Sequence, residues 1–392
     1  MSFFFFHAST GPAATKLAFT AQPPDVAADE SFSVTIEVQN ASGNKVASYT
    51  GTITVALTTP GGATLAGTLS GNAAGGELTL TGLSVDEGGT YTLTATAAGL
   101  TNAVSDEFTI AVAMALDDLA TAPACALSTG RRLFTSYENA IVRLRRSSDD
   151  AESDFSADAN GVLDTAAIAT WAGADTVYLV TIYDQSGNEL NVTQATTTKQ
   201  WVYSASVAGL NGKPGFLGDT TDYYAGANPV ASGTGAFTAY LTSLNTDAAG
   251  GSNYQWGIGN SATNGCYLLV QYIAAGGDLL YRHRATQVAD ATQANGPTAV
   301  TMIEIRQVAG NERYIRFDGA NEASNATTVT TQPSAMTGHY VGTGAASTTT
   351  TFVGYMPEVV VFDGDLPAID ADDRNLIGAA AAYYGADVAV IL

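Results

Sequence analysis

The sequence predicts an all-β protein built from two β-sandwiches, with one or two short helices in the second. Short runs rich in Thr, Val and Tyr are separated by turn residues, and the chain contains 41 glycines. Its 392 residues exceed what one hydrophobic core usually supports, so more than one domain is expected. From about residue 114 aromatic residues become more frequent and the apolar runs lengthen. We therefore expect an arm at 1–15, a first sandwich at 16–113 and a second at 114–392.

The N-terminal arm reads MSFFFFHASTG and carries Phe3, Phe4, Phe5 and Phe6. It lacks the basic region and the apolar length of a secretory signal peptide, so synthesis in a cytoplasm without a Sec signal is expected. Exposed aromatic residues on such an arm are typical of a segment that anchors the chain in a partner. A first strand of the neighbouring sandwich is the alternative, and the sequence favours neither.

Residues 16–113 contain about seven short strands, which is typical of a sandwich of immunoglobulin type. The run FSVTIEVQN alternates apolar and polar residues, ASGNK supplies a turn, and GTITVALTT is the next strand. The runs ELTLTGLSV, GGTYTLTATAAG and DEFTIAV follow. This segment resembles the bacterial Ig-like domains of secreted, cell-surface and phage proteins. The resemblance implies a spacer or docking module without catalytic residues.

The charge and the cysteine content exclude several classes of partner. The net charge of −22 disfavours nucleic acid and anionic lipid, and no apolar run is long enough to span a membrane. Arg143 and Arg145 alternate with apolar residues as in a half-exposed strand whose arginines pair with nearby acids. Neither Cys125 nor Cys266 has a second ligand at metal spacing, and a disulfide between them stays open. No cofactor and no metal is expected.

The second sandwich is predicted from longer strands and two helices. Its strands include TVYLVTIYD, CYLLVQYIA, TMIEIRQVAG and TFVGYMPEVVVFDG. One helix is predicted at LDTAAIATWAG, where Asp164 can cap the N-terminus. The other is predicted at DADDRNLIGAAAAYYG, which ends at Gly385. Many strands with two short helices indicate a jelly roll.

Two stretches of the second sandwich resemble the catalytic domain of the arabinofuranosidase B family. The first begins with CALSTGRRLFTSYENAIVRLRRSSDD, and the second reads LVTIYDQSGNELNVTQA. The resemblance implies a concanavalin-like jelly roll, and relatives of this domain occur in phage virion proteins. It also places the two catalytic acids further along the chain, where Gly344 occupies the position of the acidic Asp. Around the expected nucleophile lie Arg282, His283 and Arg284, and Asp278 is the nearest acid.

Without an opposed pair of carboxyl groups a glycosidase cannot cleave its substrate. The missing acids therefore predict a protein that is not an enzyme. Together with the Phe-rich arm, the missing signal peptide and the Ig-like segment, the resemblance to phage relatives implies a bacteriophage virion protein on the particle surface, as a capsid decoration, head fibre or tail fibre. Its expected partners are other virion proteins, further copies of itself and a host-surface polysaccharide. An active arabinofuranosidase-like hydrolase and a secreted carbohydrate-binding adhesin are the alternatives.

Candidate sugar contacts follow from polar turns and aromatic residues. The run YDQSGN reads as a turn in which Asp184 accepts backbone hydrogen bonds and Gly187 takes a positive φ. The alternative is a sugar site formed by Tyr183, Asp184 and Asn188. Further aromatic candidates are Trp201, Tyr203, Tyr254 and Trp256, for which burial in the core is the more common explanation. The run DFSADANGVLD, around Asp158, is read as a surface turn, with a calcium loop as the alternative.

Overall fold

The computed structural model describes most of the chain up to residue 246 and separate segments beyond it. The described residues are 13–219, 222–230, 236–246, 252–259, 267–273, 278–283, 290–291, 300–307, 313–317, 323–325, 338–342, 352–364, 379–380 and 383–384. The chain divides into two compact units, Met1–Ala113 and Met114–Leu392. The predicted anchor residues Phe3, Phe4, Phe5 and Phe6 lie outside the described residues, so that prediction stays open.

The first unit consists of short β-strands. Within its described residues these are β1 Lys16–Ala21, β2 Val26–Ala27, β3 Phe32–Gln39, β4 Thr52–Leu57, β5 Leu65–Ala66, β6 Ser70–Asn72, β7 Glu77–Val85, β8 Gly89–Tyr91, β9 Leu93–Thr96, β10 Ala103–Val104 and β11 Phe108–Ala111. Two four-stranded sheets have the orders β1-β3-β7-β5 and β10-β9-β4-β6, and β2, β11 and β8 form a smaller sheet.

Alternating side chains build the core of the first unit. In β3 every second residue from Phe32 to Val38 is buried, and β4 shows the same period. These strands belong to different sheets, yet their buried residues form one apolar cluster together with those of β7, β9 and β11. A period of two buries one face of each sheet, so two such faces enclose a sandwich core.

The second unit is also built from strands. In the part of the chain that is described, these are β12 Cys125–Ser128, β13 Val142–Arg146, β14 Glu152–Phe155, β15 Val177–Ile182, β16 Val192–Thr193, β17 Val202–Val207, β18 Lys213–Gly218, β19 Tyr224–Ala227, β20 Phe237–Asn245, β21 Ser252–Gly259, β22 Tyr267–Ile273, β23 Asp278–His283, β24 Asp290–Ala291, β25 Thr301–Gln307, β26 Arg313–Phe317, β27 Ala323–Asn325, β28 Gly338–Val341 and β29 Gly354–Phe362. Backbone pairing joins them into one curled sheet.

Strand β20 lies in the middle of this sheet. It pairs antiparallel with β25 on one side and with β29 on the other, and all nine of its residues are buried. One apolar cluster fills the inside of the curl and includes Trp201, Phe237 and Trp256. A strand buried on both faces cannot alternate in hydrophobicity, which explains its continuous apolar and neutral sequence. The observed architecture confirms the prediction of an all-β fold with few helices.

Helices are few and short in the described residues. The helix α1, Thr165–Ala172, begins where it was predicted, because the Asp164 carboxylate accepts a hydrogen bond from Ala167 N at 2.8 Å. Two 3-10 turns are found at Thr197–Lys199 and Ala208–Leu210. Of the second predicted helix, residues 379–380 and 383–384 are described and helical. No described helix has the length and apolar character needed to cross a membrane.

A buried ion pair connects this helical segment to the sheet. The Arg131 guanidinium donates to both carboxylate oxygens of Glu358 on β29, and both side chains are buried. The Tyr384 hydroxyl donates to the same carboxylate at 3.1 Å, and the Arg131 guanidinium lies over the Tyr383 ring. Each charge is satisfied by its partner, which is the condition under which buried charges are tolerated.

Candidate functional site

The polar turn after β15 is organised around one buried carboxylate. Asp184 Oδ1 accepts from Ala126 N at 2.8 Å and from Ser186 N at 2.9 Å. Its Oδ2 accepts from Ser186 Oγ at 2.8 Å and from Leu190 N at 3.0 Å. Gly187 within this turn has φ +88°, a conformation that glycine adopts without a steric penalty. The turn interpretation of YDQSGN is therefore confirmed by these contacts.

Gln185 ties the same turn to the loop after β12. Its Oε1 accepts from Leu133 N at 2.7 Å, and its Nε2 donates to Arg131 O at 3.1 Å. Its backbone N–H also donates to Ala126 O at 2.8 Å. A buried side-chain amide whose oxygen and nitrogen are both hydrogen-bonded holds together two segments that are distant in the sequence. The turn is thus part of the framework of the second unit.

The turn ends in a residue with unusual backbone geometry. Glu189 has φ +58°, in the left-handed region that residues with a side chain rarely adopt. Its neighbours hold it there, because Leu190 N donates to Asp184 and Asn191 Oδ1 accepts from Asp184 N at 2.8 Å. The Glu189 side chain is exposed, and its carboxylate has no hydrogen bond or ion pair with another described residue.

A second carboxylate near the turn is neutralised by an arginine. Asp154 on β14 lies directly opposite Arg143 on β13, whose Nε and Nη2 donate to it at 2.8 and 2.9 Å. The Tyr183 hydroxyl donates to Asp154 Oδ1 at 2.7 Å. The bonds from Arg143 lower the pKa of Asp154, whereas burial and the Asp154 charge raise the pKa of Tyr183 to about 12. At neutral pH Asp154 is therefore ionised and Tyr183 keeps its proton.

These groups surround an open cavity of about 510 Å³. Its lining residues are Tyr137, Asn139, Ala140, Asp154, Tyr183, Asp184, Gly187, Glu189 and Asn191. Tyr137 is held by a bond from its hydroxyl to Ala140 O at 2.7 Å, and burial raises its pKa to about 12. The Glu189 carboxylate, the Asn139 amide and the Asn191 Nδ2 have no partner among the described residues. The cavity therefore offers both acceptors and donors to a hydroxyl-rich ligand.

The structure brings two of the predicted sugar contacts into this cavity. Tyr183 and Asp184 line it, although the oxygens of Asp184 are already bonded within the protein. Asn188 does not line it, and its Nδ2 donates to Ala124 O at 3.0 Å and to Ser186 Oγ at 3.2 Å. A sugar role for Tyr183 stays a prediction, and Asp184 and Asn188 have structural partners.

The predicted aromatic contacts require correction at the two tryptophans. Trp201 and Trp256 are fully buried in the core, so their rings cannot stack on a sugar at the surface. Trp201 packs edge-on against Tyr224 with ring centroids 4.9 Å apart, and Trp256 Nε1 donates to His339 Nε2 at 2.6 Å. Large aromatic residues supply apolar core area, which explains their position. Half-buried Tyr203 packs on Phe216.

Other predicted positions lie outside the described side chains. Tyr254, Asp278, Arg282 and His283 belong to described strands, but their own side chains are not described. Cys266, Arg284 and Gly344 lie outside the described residues. Cys125 is a free, buried thiol whose pKa is raised by burial.

The calcium alternative finds no support in the described residues. No group of three potential ligands occurs among them. Asp158 Oδ1 instead accepts from Val162 N at 2.9 Å and closes a turn. Asp164 caps α1, and Asp154 is paired with Arg143, so these three carboxylates have separate partners.

Sequence reasoning missed most of the cavity. Tyr137, Asn139, Asp154, Glu189 and Asn191 come from three segments, and only Glu189 and Asn191 belong to the stretch LVTIYDQSGNELNVTQA, just after the turn YDQSGN. No local signal marks Glu189, because left-handed backbone is expected of Gly, Asn and Asp rather than of Glu. The pairing of Asp154 with Arg143 depends on strand register and has no local signal.

Comparison with known proteins identifies a relative of the second unit. The family described as "Alpha-L-arabinofuranosidase B, catalytic" matches residues 117–271. The match is to a catalytic domain. Alpha-L-arabinofuranosidase B of Aspergillus niger is 42% identical over 69 residues, and that of Aspergillus kawachii is 41% identical over 69 residues. Each alignment covers 17% of this chain and 14% of the relative, so the chain spans only a small part of these curated relatives.

Solved arabinofuranosidases share the fold. One, complexed with arabinofuranosyl-α-1,2-xylobiose, superposes with a TM-score of 0.55 at 18% identity and covers 67% of this chain and 63% of that chain. A GH54 α-L-arabinofuranosidase soaked with a cyclic sulfate inhibitor gives a TM-score of 0.54 at 18% identity, with the same coverage. At this identity the likeness shows the fold alone.

These findings overturn the expectation of a non-enzymatic virion protein. The matched family is defined by its catalytic domain, and the relatives named above are glycosidases rather than capsid or fibre proteins. That expectation depends on Gly344 at the position of the acidic Asp, and on a segment around the expected nucleophile in which Asp278 is the nearest acid. An opposed pair can be supplied by other residues, so absence at two aligned positions does not exclude an enzyme. The predicted resemblance to arabinofuranosidase B is confirmed for residues 117–271.

Proposed function

We propose that the second unit is a glycoside hydrolase that removes arabinofuranosyl groups from a larger carbohydrate. The observation that carries this proposal is the match of residues 117–271 to the catalytic domain of arabinofuranosidase B. The fold shared with an arabinofuranosidase bound to arabinofuranosyl-α-1,2-xylobiose supports it. The substrate class follows from these relatives, so a pentofuranoside attached to a xylan-type chain is the first candidate.

The cavity beside the turn supports recognition of a carbohydrate. Its volume of about 510 Å³ lies in the range of small-molecule sites. It presents a carboxylate from Glu189 and amides from Asn139 and Asn191, and such groups bind sugar hydroxyls as acceptors and donors. Two tyrosine side chains, Tyr137 and Tyr183, contribute apolar carbon atoms next to these polar groups.

The cleavage pair is expected outside this cavity. Glycoside hydrolysis uses two opposed carboxyl groups, one acting as an acid. Of the three acids that line the cavity, Asp154 is bonded to Arg143 and Asp184 accepts four internal hydrogen bonds. Only Glu189 then has a free carboxylate there, and one acid does not make a pair. The first candidate for a catalytic acid outside the cavity is Asp278, the residue that begins β23.

Chromogenic glycosides test the proposed function. The intact chain is expected to release nitrophenol from 4-nitrophenyl α-L-arabinofuranoside faster than from the matching xylopyranoside or glucopyranoside. Substitution Asp278→Asn is expected to abolish release, and Glu138→Gln, which neutralises an exposed acid outside the cavity, is the matched control. No release from any furanoside by the folded wild-type chain would reject the proposal.

We further propose that the first unit is an Ig-like spacer or docking module. Its support is the pair of four-stranded sheets around a single apolar core within Met1–Ala113. An independent spacer should survive limited proteolysis as a stable fragment cut near residues 112–124. Simultaneous digestion of both units would contradict this role. Binding to a host polysaccharide and self-association stay predictions.

A further inference from the structure

Internal hydrogen bonds hold two of the acids that line the cavity, and further lining groups have no partner among the described residues. Arg143 and Tyr183 fix Asp154 through three hydrogen bonds, and four hydrogen bonds fix Asp184. Glu189 is then held in its left-handed conformation by the neighbouring bond from Leu190 N. A pre-organised wall lowers the entropy lost on binding, so such a cavity is suited to a specific ligand.

The free groups define the chemistry of the ligand. Glu189 can only accept hydrogen bonds when ionised, and the amides of Asn139 and Asn191 can donate. Vicinal sugar hydroxyls, each a donor and an acceptor, match this mixture. A ligand with carboxylate groups would be repelled by the Glu189 carboxylate, and the guanidinium of Arg143 is already paired with Asp154.

A metal ion fits less well than a neutral sugar. Calcium requires six to eight oxygen ligands. The oxygens of Asp154 and Asp184 already accept bonds from donors within the protein, which leaves Glu189 as the single free carboxylate. No group of three ligating acids occurs among the described residues.

We infer that the cavity lined by Tyr137, Asn139, Tyr183, Glu189 and Asn191 is a carbohydrate subsite that holds one neutral sugar unit of the polymer. It binds without cleaving, because it contains one free carboxylate. The choice of an arabinose-bearing oligosaccharide as ligand rests on the proposed function, but the subsite itself rests on the geometry of the cavity. Glu189 is its main hydroxyl acceptor.

Hydrogen exchange of the intact chain, read by mass spectrometry, tests this subsite. Addition of arabinofuranosyl-xylobiose is expected to slow exchange in peptides that cover residues 137–140 and 183–191. Substitution Glu189→Gln should weaken that protection, with a loss of affinity of about tenfold, since it removes one charge-assisted hydrogen bond. Glu138→Gln lies next to Tyr137 but outside the cavity and should leave the affinity unchanged.

The outcomes separate this inference from the proposed function. Unchanged exchange at a saturating sugar concentration, or equal affinity of wild type and Glu189→Gln, overturns the subsite. Stronger protection by trigalacturonate or by calcium chloride also overturns it. Slower exchange at the cavity without any glycoside turnover supports the subsite and rejects the hydrolase activity. Turnover without slower exchange at the cavity supports the hydrolase activity and rejects the subsite. An unchanged melting temperature of Glu189→Gln confirms that the variant is folded.

Discussion

Removal of the Asp184 carboxylate is expected to destabilise the second unit strongly. Asp184 is buried and accepts hydrogen bonds from Ala126 N, Ser186 N, Ser186 Oγ and Leu190 N. In Asp184→Ala the two donors of Ser186 can turn to water, but Ala126 N and Leu190 N lose their partner. A buried donor without an acceptor costs about 1–3 kcal/mol, so two of them lower the free energy of unfolding by about 4 kcal/mol.

Urea unfolding followed by tryptophan fluorescence measures this loss. The three tryptophans, Trp171, Trp201 and Trp256, all belong to the second unit, so their signal reports that unit alone. Asp184→Asn keeps one oxygen acceptor and should lose about 2 kcal/mol. Glu189→Gln changes an exposed acid in the same turn and should stay within about 0.5 kcal/mol of wild type. A free energy of unfolding for Asp184→Ala within 1 kcal/mol of wild type would refute the anchoring role of this carboxylate.

Three further predictions concern other features of the second unit. Arg131→Ala leaves the buried Glu358 carboxylate without its cation and should lower the free energy of unfolding in urea by about 4 kcal/mol. The double variant Arg131→Met with Glu358→Leu removes both charges and should be close to neutral, and equal losses in the two variants would contradict this reasoning. His339 is buried beside Trp256 with its pKa lowered to about 3, so the neutral form stabilises the fold above pH 6.5 and that stability is lost as pH falls toward 3. Between pH 6.5 and 5.0 wild type should lose about 1.6 kcal/mol more than His339→Gln, and parallel pH profiles would disprove the linkage. Glu189→Gly places a glycine where the backbone is left-handed, which removes the steric strain and should raise the free energy of unfolding by about 1 kcal/mol. A free energy of unfolding below that of wild type would contradict this.

Local sequence patterns predicted those parts of the fold that depend on local physics. The alternation in β3 and β4 reports which face of each strand is buried, and the observed burial follows it. The Asp164 cap could be predicted because the capping bond spans three residues. The role of Asp184 as an acceptor in a turn was likewise predicted from its own motif.

The remaining features depend on contacts between distant segments. Asp184 also binds Ala126, which lies 58 residues earlier, and Arg131 pairs with Glu358, 227 residues later. Neither partner can be chosen from spacing alone, because many acids and arginines are compatible with the same pattern. For the same reason the sequence leaves Trp201 open between a core residue and a sugar contact, since burial of an aromatic residue depends on how the sheet curls around it.

The expectation of a non-enzymatic protein was wrong because catalytic residues were sought only at positions aligned by eye with the resembled family. The motif YDQSGN carried the relationship, yet its polar residues serve the framework around Asp184 and Gln185. A motif that fixes the fold stays recognisable in the sequence without containing the reacting groups. The cavity instead depends on Glu189, whose left-handed backbone is visible only in the structure.

Product analysis after incubation with arabinofuranosyl-xylobiose tests the central claim most directly. The intact wild-type chain should release free arabinose and xylobiose, detected by anion-exchange chromatography, and Asp278→Asn should release neither. An intact substrate after prolonged incubation with folded wild-type protein, in the presence of a working arabinofuranosidase as positive control, would contradict the assignment of hydrolase activity.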